Sequence, residues 1–355
     1  MALALRLARR GMYSAQPNPR VGCVLVNSGA IVGTGWHRKT GEPHAEANAL
    51  LMAGDQAAGS TAYVTLEPCS HDGRTPPCAA ALIEAGVTRV VASMSDPNPK
   101  VAGAGIEQLR EAGIDVETGL MQSEAAEINR GFVSRLERGR PFVRLKLAAS
   151  LDGRTAMASG ESQWITGESA RADVQKLRAA SGAVMTGVGT VAADDPSFTV
   201  RDDAIDNDGL QPVRIVLDSR LQTPATARML ELPGQTVIFC VDDKNRPALE
   251  NAGAEVHLVA EADGRVDLPA VLQALAAMEI NDVLVESGPL LAGSLLNAGL
   301  VDELVIYQAP HMMGSETRGM VSTPTWQTLE QRQALHIVDV RMLGTDMRII
   351  ASPAE

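Results

Sequence analysis

Pro43-His44-Ala45-Glu46, followed by Glu67-Pro68-Cys69 and then Pro76-Pro77-Cys78, is the stretch on which the fold of the first part depends. Pro43 and Pro77 stand just before His44 and Cys78, which marks both as helix starts. Two helix N-termini aimed at one point would gather His44, Cys78 and the Cys69 loop around a single ion, and each helix dipole would favour thiolate over thiol. Residues two apart do not share a helix face, so His44 and Glu46 meet the same ion only if that helix points at it end-on. One His and two Cys are the three ligands of a catalytic zinc, which keeps a fourth position open; a structural zinc closes with a fourth ligand, for which His71 is a candidate. Unligated core cysteines are the plainer alternative.

Outward from this stretch, hydrophobic pattern predicts an opening helix, strands at 21–26 and 30–36, a helix from His44, and a strand at 62–66. It continues with a helix at 78–85, a strand at 89–94, a helix near 106–111 and a strand at 114–117, with Gly86 and Gly113 closing the helices. A long helix over about 123–138 ends in Arg138-Gly139-Arg140-Pro141, where glycine can cap and proline cannot continue. The domain boundary falls there, giving domains 1–141 and 142–355. Further strands are predicted at 142–148, 183–186, 213–218, 236–241, 255–259, 282–286 and 303–308, most of them separated by helices. Both parts read as sheets covered by helices, an α/β class, and the stretch 201–209 with its four aspartates reads as an exposed loop.

The 355 residues, 45% apolar and 21% charged, have the balance of a folded soluble chain and enough length for two domains. No stretch approaches the roughly 18 uncharged apolar residues of a membrane span. Arg6, Arg9 and Arg10 precede any acidic residue, as in a transit peptide, but Leu3, Leu7 and the alanines between them make an amphipathic first helix. Four cysteines without a secretory signal argue for a reducing cytoplasm, and Cys23 and Cys240, in apolar strands, read as core. Residues 1–141 carry 14 Lys+Arg and 14 Asp+Glu, whereas 142–355 carry 17 and 29. Neither part holds a basic run, the electrostatic footprint of a nucleic-acid binder.

The chemistry that suits the His/Cys/Cys stretch is hydrolytic deamination, with Glu46 taking a proton from the attacking water and delivering it to the ring nitrogen and the departing amine. His-x-Glu followed by Pro-Cys-x-x-Cys is the zinc-deaminase signature, although here eight residues separate the cysteines instead of two. The whole segment from Glu67 to Cys78, with Pro17-Asn18-Pro19-Arg20-Val21-Gly22 and Gly41-Glu42-Pro43-His44-Ala45-Glu46, resembles the bifunctional deaminase/reductase family of riboflavin biosynthesis. Ser95-Asp96-Pro97-Asn98-Pro99, Leu145-Lys146-Leu147-Ala148-Ala149-Ser150-Leu151-Asp152-Gly153-Arg154, the segment from Gly160 to Thr166 and that from Val285 to Gly293 extend the resemblance over nearly the whole chain.

The resemblance implies an N-terminal cytidine-deaminase-like α/β/α sandwich and a C-terminal dihydrofolate-reductase-like α/β domain. It implies that the first removes an amino group from a diaminopyrimidinone ribosylamine 5′-phosphate with zinc, and that the second reduces the ribosyl group to ribityl with NADPH. By the same resemblance His44, Cys69 and Cys78 hold zinc, Glu46 is the proton shuttle, and Asn18 and His71 contact the substrate.

In the second domain Gly187-Val188-Gly189-Thr190-Val191-Ala192 has the form G-x-G-x-x-A, but Asp194-Asp195-Pro196 breaks any helix after one or two turns, where a dinucleotide-binding unit would continue. A plain glycine turn also explains it and, taken by itself, is the favoured reading. Glu286-Ser287-Gly288-Pro289 is better placed, because a strand ends and a helix begins there, with free amides to receive a pyrophosphate. The resemblance puts Ala148, Trp164, Thr190, Asp194 and Ser219 beside NADPH, with Gly288, Pro289, Leu290, Leu291, Ala292, Gly293 and Ser294. It puts Ser162, Arg178, Phe198, Arg201 and Glu286 around the phosphorylated substrate, two arginines suiting a phosphate ester. Phe198 stands where a smaller aliphatic residue is expected, and Arg220 is a candidate to meet the 2′-phosphate of NADPH.

Two other readings stand beside this one. A tRNA or nucleobase deaminase with a non-catalytic appendage is disfavoured, because a neutral first part and an acidic second would repel a polyanion. A second domain that binds a nucleotide without reducing anything is distinguished only by hydride transfer. The expected partner is a small phosphorylated pyrimidine, with no nucleic acid and no membrane, and the protein is expected to be a cytoplasmic homo-oligomer.

Overall fold

The computed structural model describes residues 1–70, 77–99 and 102–354. They divide into two compact units, Met1–Arg140 with Asp206–Asp208, and Pro141–Ile205 with Gly209–Glu355. In the first, short runs rich in Val and Ala form β1 (Gly22–Asn27), β2 (Ala30–Trp36), β3 (Thr61–Val64), β4 (Arg89–Ala92) and β5 (Asp115–Thr118), ordered β2-β1-β3-β4-β5. β1 is antiparallel to β2 and β3, while β3, β4 and β5 are parallel. The helices are α1 (Ala2–Ala8), α2 (Ala45–Ala53), α3 (Cys78–Glu84), α4 (Ala104–Glu111), α5 (Gln122–Ile128) and α6 (Arg130–Arg138). Parallel strands need crossovers, which α3 and α4 provide, so both helices begin beyond the C-terminal ends of β3 and β4. Gly86 and Gly113 close them with φ of 71° and 83°, the left-handed geometry of a helix C-terminus.

α2 lies against β2 with backbone touching backbone. A Cβ at Gly33 would fall 2.2 Å from the Ala49 carbonyl oxygen, and one at Gly35 would fall 2.1 Å from that of Ala45. These glycines, two apart on one face of the strand, fix the helix and thereby its N-cap, His44.

The single helix expected over 123–138 is instead two. Asn129 leaves helical geometry (φ −114°, ψ 18°), and its side chain accepts the Arg20 N–H at 2.7 Å and donates to the Arg20 carbonyl at 2.9 Å. That pairing breaks the helix, and hydrophobic period carries no sign of it.

The second unit contains β6 (Phe142–Ser150), β7 (Arg154–Ala156), β8 (Ala183–Gly187), β9 (Val213–Leu217), β10 (Thr236–Cys240), β11 (Ala254–Leu258), β12 (Glu261–Ala262) and β13 (Arg265–Val266). β14 (Asp282–Glu286), β15 (Glu303–Ala309), β16 (Arg318–Gly319), β17 (Leu335–Leu343) and β18 (Asp346–Pro353) follow. Nine of them form one sheet in the order β11-β10-β9-β8-β14-β6-β15-β18-β17, parallel up to β15 and antiparallel in the β17–β18 hairpin. The helices are α7 (Glu168–Ala180), α8 (Val188–Asp194), α9 (Arg228–Glu231), α10 (Arg246–Asn251), α11 (Leu268–Ala277) and α12 (Pro289–Asn297). β10 and β14 are buried at every position, as strands covered on both faces should be.

Sequence pattern did not reveal the terminal hairpin. Ile337, Val338, Val340 and Met342 of β17 are all exposed, and a register shift between Ile337 and Asp339 interrupts the alternation of the strand. The stretch 201–209 is irregular, yet Ile205 and Asn207 within it are buried. Among the described residues no helix is long and apolar enough to cross a membrane.

Gly35→Ala must lift α2 from the sheet, and the expected cost is about 1–3 kcal/mol, the usual range for overpacking. It should appear as a lower urea midpoint at unchanged slope; a midpoint equal to the parent's would contradict the backbone contact.

Candidate active sites

His44 caps α2 in extended conformation, and Cys78 opens α3 directly after Pro77. Cys69 lies in the turn beyond β3, where its carbonyl accepts the Ala79 N–H at 3.1 Å and its sulfur the Cys78 N–H at 3.3 Å. His44 Nδ1 stands 3.3 Å from Cys78 Sγ and 3.6 Å from Cys69 Sγ, and the three ligand atoms lie within 4.8 Å of one another. One imidazole and two sulfurs at this spacing, at two helix N-termini, fit a tetrahedral zinc with one position open. The Cys78 thiol, donating a hydrogen bond to the Cys69 sulfur, brings Cys69 down to about 4 against the effect of burial, and the same hydrogen bond with burial pushes Cys78 up. His44 is raised by its bond to Cys69.

Glu46 sits in the first turn of α2 and is buried. Burial raises it to about 7, with the charge on Cys69 adding to the rise, so the carboxyl can hold and release a proton near neutrality. Because α2 points end-on at the cluster, residues two apart serve one site.

Asn18 Nδ2 is 3.1 Å from His37 Nε2, and His37 Nδ1 is 3.4 Å from the Pro43 carbonyl, which can only accept. Nδ1 therefore carries the proton, and Nε2 accepts from the Asn18 amide nitrogen. His37 meets the His44 ring edge-on at 5.2 Å, and burial lowers its pKa, keeping it neutral. Sequence reading did not select His37, whose signal is no more than a polar residue after the apolar strand β2. His71 lies outside the described residues.

In the second unit β8 and β14 are neighbours whose connections diverge. β8 leads through α8 to β9 on one side, and β14 leads through α12 to β15 on the other. Open α/β sheets bind ligands at such a switch point. A cleft of about 850 Å³ opens there, ample for a nucleotide. Ala148 and Glu286 line it from strands, Ser162 and Trp164 from the loop before α7, and Arg178 from α7 itself. Thr190 and Asp194 of α8 line it too, with Phe198, Arg201, Gly288, Pro289, Leu290 and Leu291. Thr190 Oγ1 accepts the Gly288 N–H at 3.2 Å and ties the two strand-to-helix turns together. α8 ends at Asp194, so the residues after Gly187 form a short glycine-bearing turn of helix rather than a dinucleotide-binding unit.

Glu286 is gripped by Arg178 through Nε to Oε1 at 2.6 Å and Nη2 to Oε2 at 3.1 Å, with Lys146 Nζ 3.7 Å from Oε2. Burial works to raise Glu286, but the charges of Arg178 and Lys146 outweigh it and hold the carboxyl low; burial lowers Lys146. Arg178 Nη1 also donates to the Thr199 carbonyl at 3.1 Å, and the guanidinium lies 5.5 Å from the centre of the Phe198 ring. Much of Arg178 is thus engaged within the protein. Phe198 is buried against it, with a left-handed backbone of φ 49°.

Sequence reading missed Lys146, Arg171 and Arg228, which also line the cleft. Arg171 stacks on Trp164 at 4.9 Å. With Arg178, Arg201 and Arg318 they make six cations against the carboxylates of Asp194, Asp195 and Glu286, a positive cleft in an acidic part of the chain. Arg201 and Arg228 also border an adjoining pocket with Ser197 and Thr199.

Four expected cofactor contacts do not line this cleft. Ser219 Oγ accepts the Val266 N–H, Ala292 is wholly buried, and Ser294 Oγ donates to the Leu290 carbonyl. Gly293 backs onto Ser322, whose carbonyl oxygen would lie 1.8 Å from a Cβ. Arg220 is exposed and also outside the lining.

Residues 141–349 match the family described as RibD C-terminal domain, and residues 1–94 match the cytidine and deoxycytidylate deaminase zinc-binding region. The riboflavin biosynthesis protein RibD of Escherichia coli (strain K12) is 51% identical, over 98% of this chain and 96% of its own. The solved structure of Acinetobacter baumannii RibD, form 1, matches with a TM-score of 0.94 at 46% identity, covering 100% of this chain and 98% of that one. A Thermotoga maritima structure described as a diaminohydroxyphosphoribosylaminopyrimidine deaminase/5-amino-6-(5-phosphoribosylamino)uracil reductase matches with a TM-score of 0.88 at 31% identity, covering 100% and 97%.

Arg178→Met strands a buried carboxylate, and the expected loss is about 3–5 kcal/mol in chemical unfolding. Adding Glu286→Gln should restore part of it. A single variant as stable as the parent would contradict the buried pair.

Proposed function

Because the chain belongs to the RibD family, we propose that its two units catalyse successive steps of riboflavin biosynthesis. The first deaminates a diaminopyrimidinone ribosylamine 5′-phosphate, and the second reduces the ribosyl group of the resulting phosphoribosylaminouracil to ribityl. The observation that carries this is the cluster of His44, Cys69 and Cys78 with Glu46 buried at the head of the same helix as His44.

His44, Cys69 and Cys78 are the residues that would hold zinc. Zinc supplies the Lewis acidity that makes water nucleophilic near pH 7. Glu46 accepts the proton of the attacking water and passes it to the ring nitrogen and then the leaving amine, so a C–O bond replaces a C–N bond and ammonia departs. Asn18, its amide set by His37, presents an acceptor to the N–H groups of the pyrimidine.

In the second unit NADPH supplies the hydride. The turn at the start of α12, Thr190, Trp164 and Asp194 line the cleft and would hold it. As the ribosyl C1′–O4′ bond opens, the ring oxygen needs a proton. Lys146, buried in the cleft with a lowered pKa, is placed to donate it. Arg201 and Ser162 receive the phosphate, Arg228 adds charge beside Arg201, and Arg178 holds Glu286 ionised.

Glu46→Gln is expected to retain zinc and lose deamination by at least about a hundredfold, the lower range for a general acid–base group. Cys78→Ser should lose zinc as well, and Lys146→Met should lose only reduction. Metal analysis with separate assays of the two half-reactions checks all three; deamination at parental rate in Glu46→Gln would overturn the mechanism.

None of the four cysteines is in a disulfide, which supports a reducing compartment, the cytoplasm. β17 ends the nine-stranded sheet with five exposed apolar side chains, which supports a second copy of this chain as its cover. Ile337→Asp with Val340→Asp, both outside the core, should convert the oligomer to a folded monomer by light scattering; an unchanged mass would place the contact elsewhere.

A further inference from the structure

Glu67 takes no part in the chemistry above, yet it is a carboxylate only 3% exposed. Its oxygens accept backbone amides. Oε2 takes the N–H groups of Asp96 at 3.1 Å and Gly103 at 3.0 Å, and Oε1 takes those of Gly105 at 3.0 Å and Ile106 at 3.3 Å. Gly103 is the N-cap of α4, whose first amides have no partner within the helix. A carboxylate from the turn after β3 therefore stands in for a local cap, where the helix dipole also favours it. The Glu67 N–H is itself held by the Met94 carbonyl at 2.9 Å.

The next peptide is equally constrained. A Cβ at Gly105 would lie 1.9 Å from the Pro68 carbonyl oxygen, so α4 abuts that carbonyl directly. Cys69 follows, and on its far side α3 holds its carbonyl and its sulfur through the amides of Ala79 and Cys78. The ligand is thus fixed between the starts of two helices, by α3 directly and by α4 through Glu67.

We propose that Glu67 is a positioning residue for the metal site, setting Cys69 by locking the Glu67-Pro68-Cys69 turn to α4 and to the Ser95-Asp96-Pro97-Asn98-Pro99 segment. This rests on the zinc reading of the cluster. It also explains why that second segment lies beside the site without contributing a ligand: its Asp96 amide is one of the four that orient Glu67.

The test uses the full chain. Glu67→Gln keeps one acceptor oxygen and sets an NH₂ group against two amide donors, loosening the turn. Chelator competition should show zinc affinity reduced about 10–100-fold, the usual effect of removing a group that orients a ligand. The cobalt(II)-loaded variant should show a weaker, displaced thiolate-to-cobalt charge-transfer band, while reductase turnover of the same preparation stays at the parental value. Gly105→Ala keeps Glu67 but drives a methyl into the Pro68 carbonyl; it should displace the same band, and it decides the matter if Glu67→Gln does not fold. A folded variant with lowered Tm but parental zinc affinity and cobalt spectrum overturns the proposal, leaving Glu67 a helix cap alone. A parent protein that takes up cobalt without thiolate bands overturns the zinc reading itself.

Discussion

The first site depends on two helix N-termini meeting at one point. The dipoles of α2 and α3, and the α3 amides that donate to Cys69, make that point favourable to negative charge, and the chain places there a histidine, two thiols and a carboxyl. The rest of the unit holds this convergence in place. Gly33 and Gly35 let α2 sit on β2 at backbone contact, the β3-to-β4 crossover delivers α3, and Glu67 braces the Cys69 turn against α4. None of these contacts is strong alone, but together they leave the ligands one arrangement.

The second unit solves a different electrostatic problem. It is acidic overall, yet its cleft gathers six cations against three carboxylates, so the field inside opposes the field outside. Walls of low polarisability focus such a field on anionic ligands. The arrangement requires buried charge, and the Arg178–Glu286–Lys146 cluster keeps that charge compensated while leaving a lysine of lowered pKa facing the ligand space.

Sequence made the order of strands and helices and the metal triad legible, because those depend on local period and on residue types few other sites use. Parallel strands covered on both faces appear as continuous apolar runs, and His44, Cys69 and Cys78 are distinctive at their spacing. What stayed hidden depends on contacts across the chain. The break at Asn129 needs Arg20, 109 residues away, and the orientation of Asn18 needs His37. Lys146 looked like one residue of a strand until Glu286 and Arg178 came beside it, and β17 could not show unbroken alternation because its register shifts between Ile337 and Asp339. The resemblance reached further than pattern did in the reductase cleft, but it also named Ser219, Ala292, Gly293 and Ser294, whose side chains or backbone are committed to packing and hydrogen bonds elsewhere.

Two catalytic units acting in sequence leave a distinct product at each step. Mass spectrometry of the products formed from the diaminopyrimidinone ribosylamine phosphate, with and without NADPH, tests this most directly. An amino-to-oxo change is expected without NADPH, and two further hydrogens only when NADPH is present. Deamination that NADPH leaves unaltered would contradict the second unit's role as a reductase, and no change in either condition with zinc supplied would contradict the account as a whole.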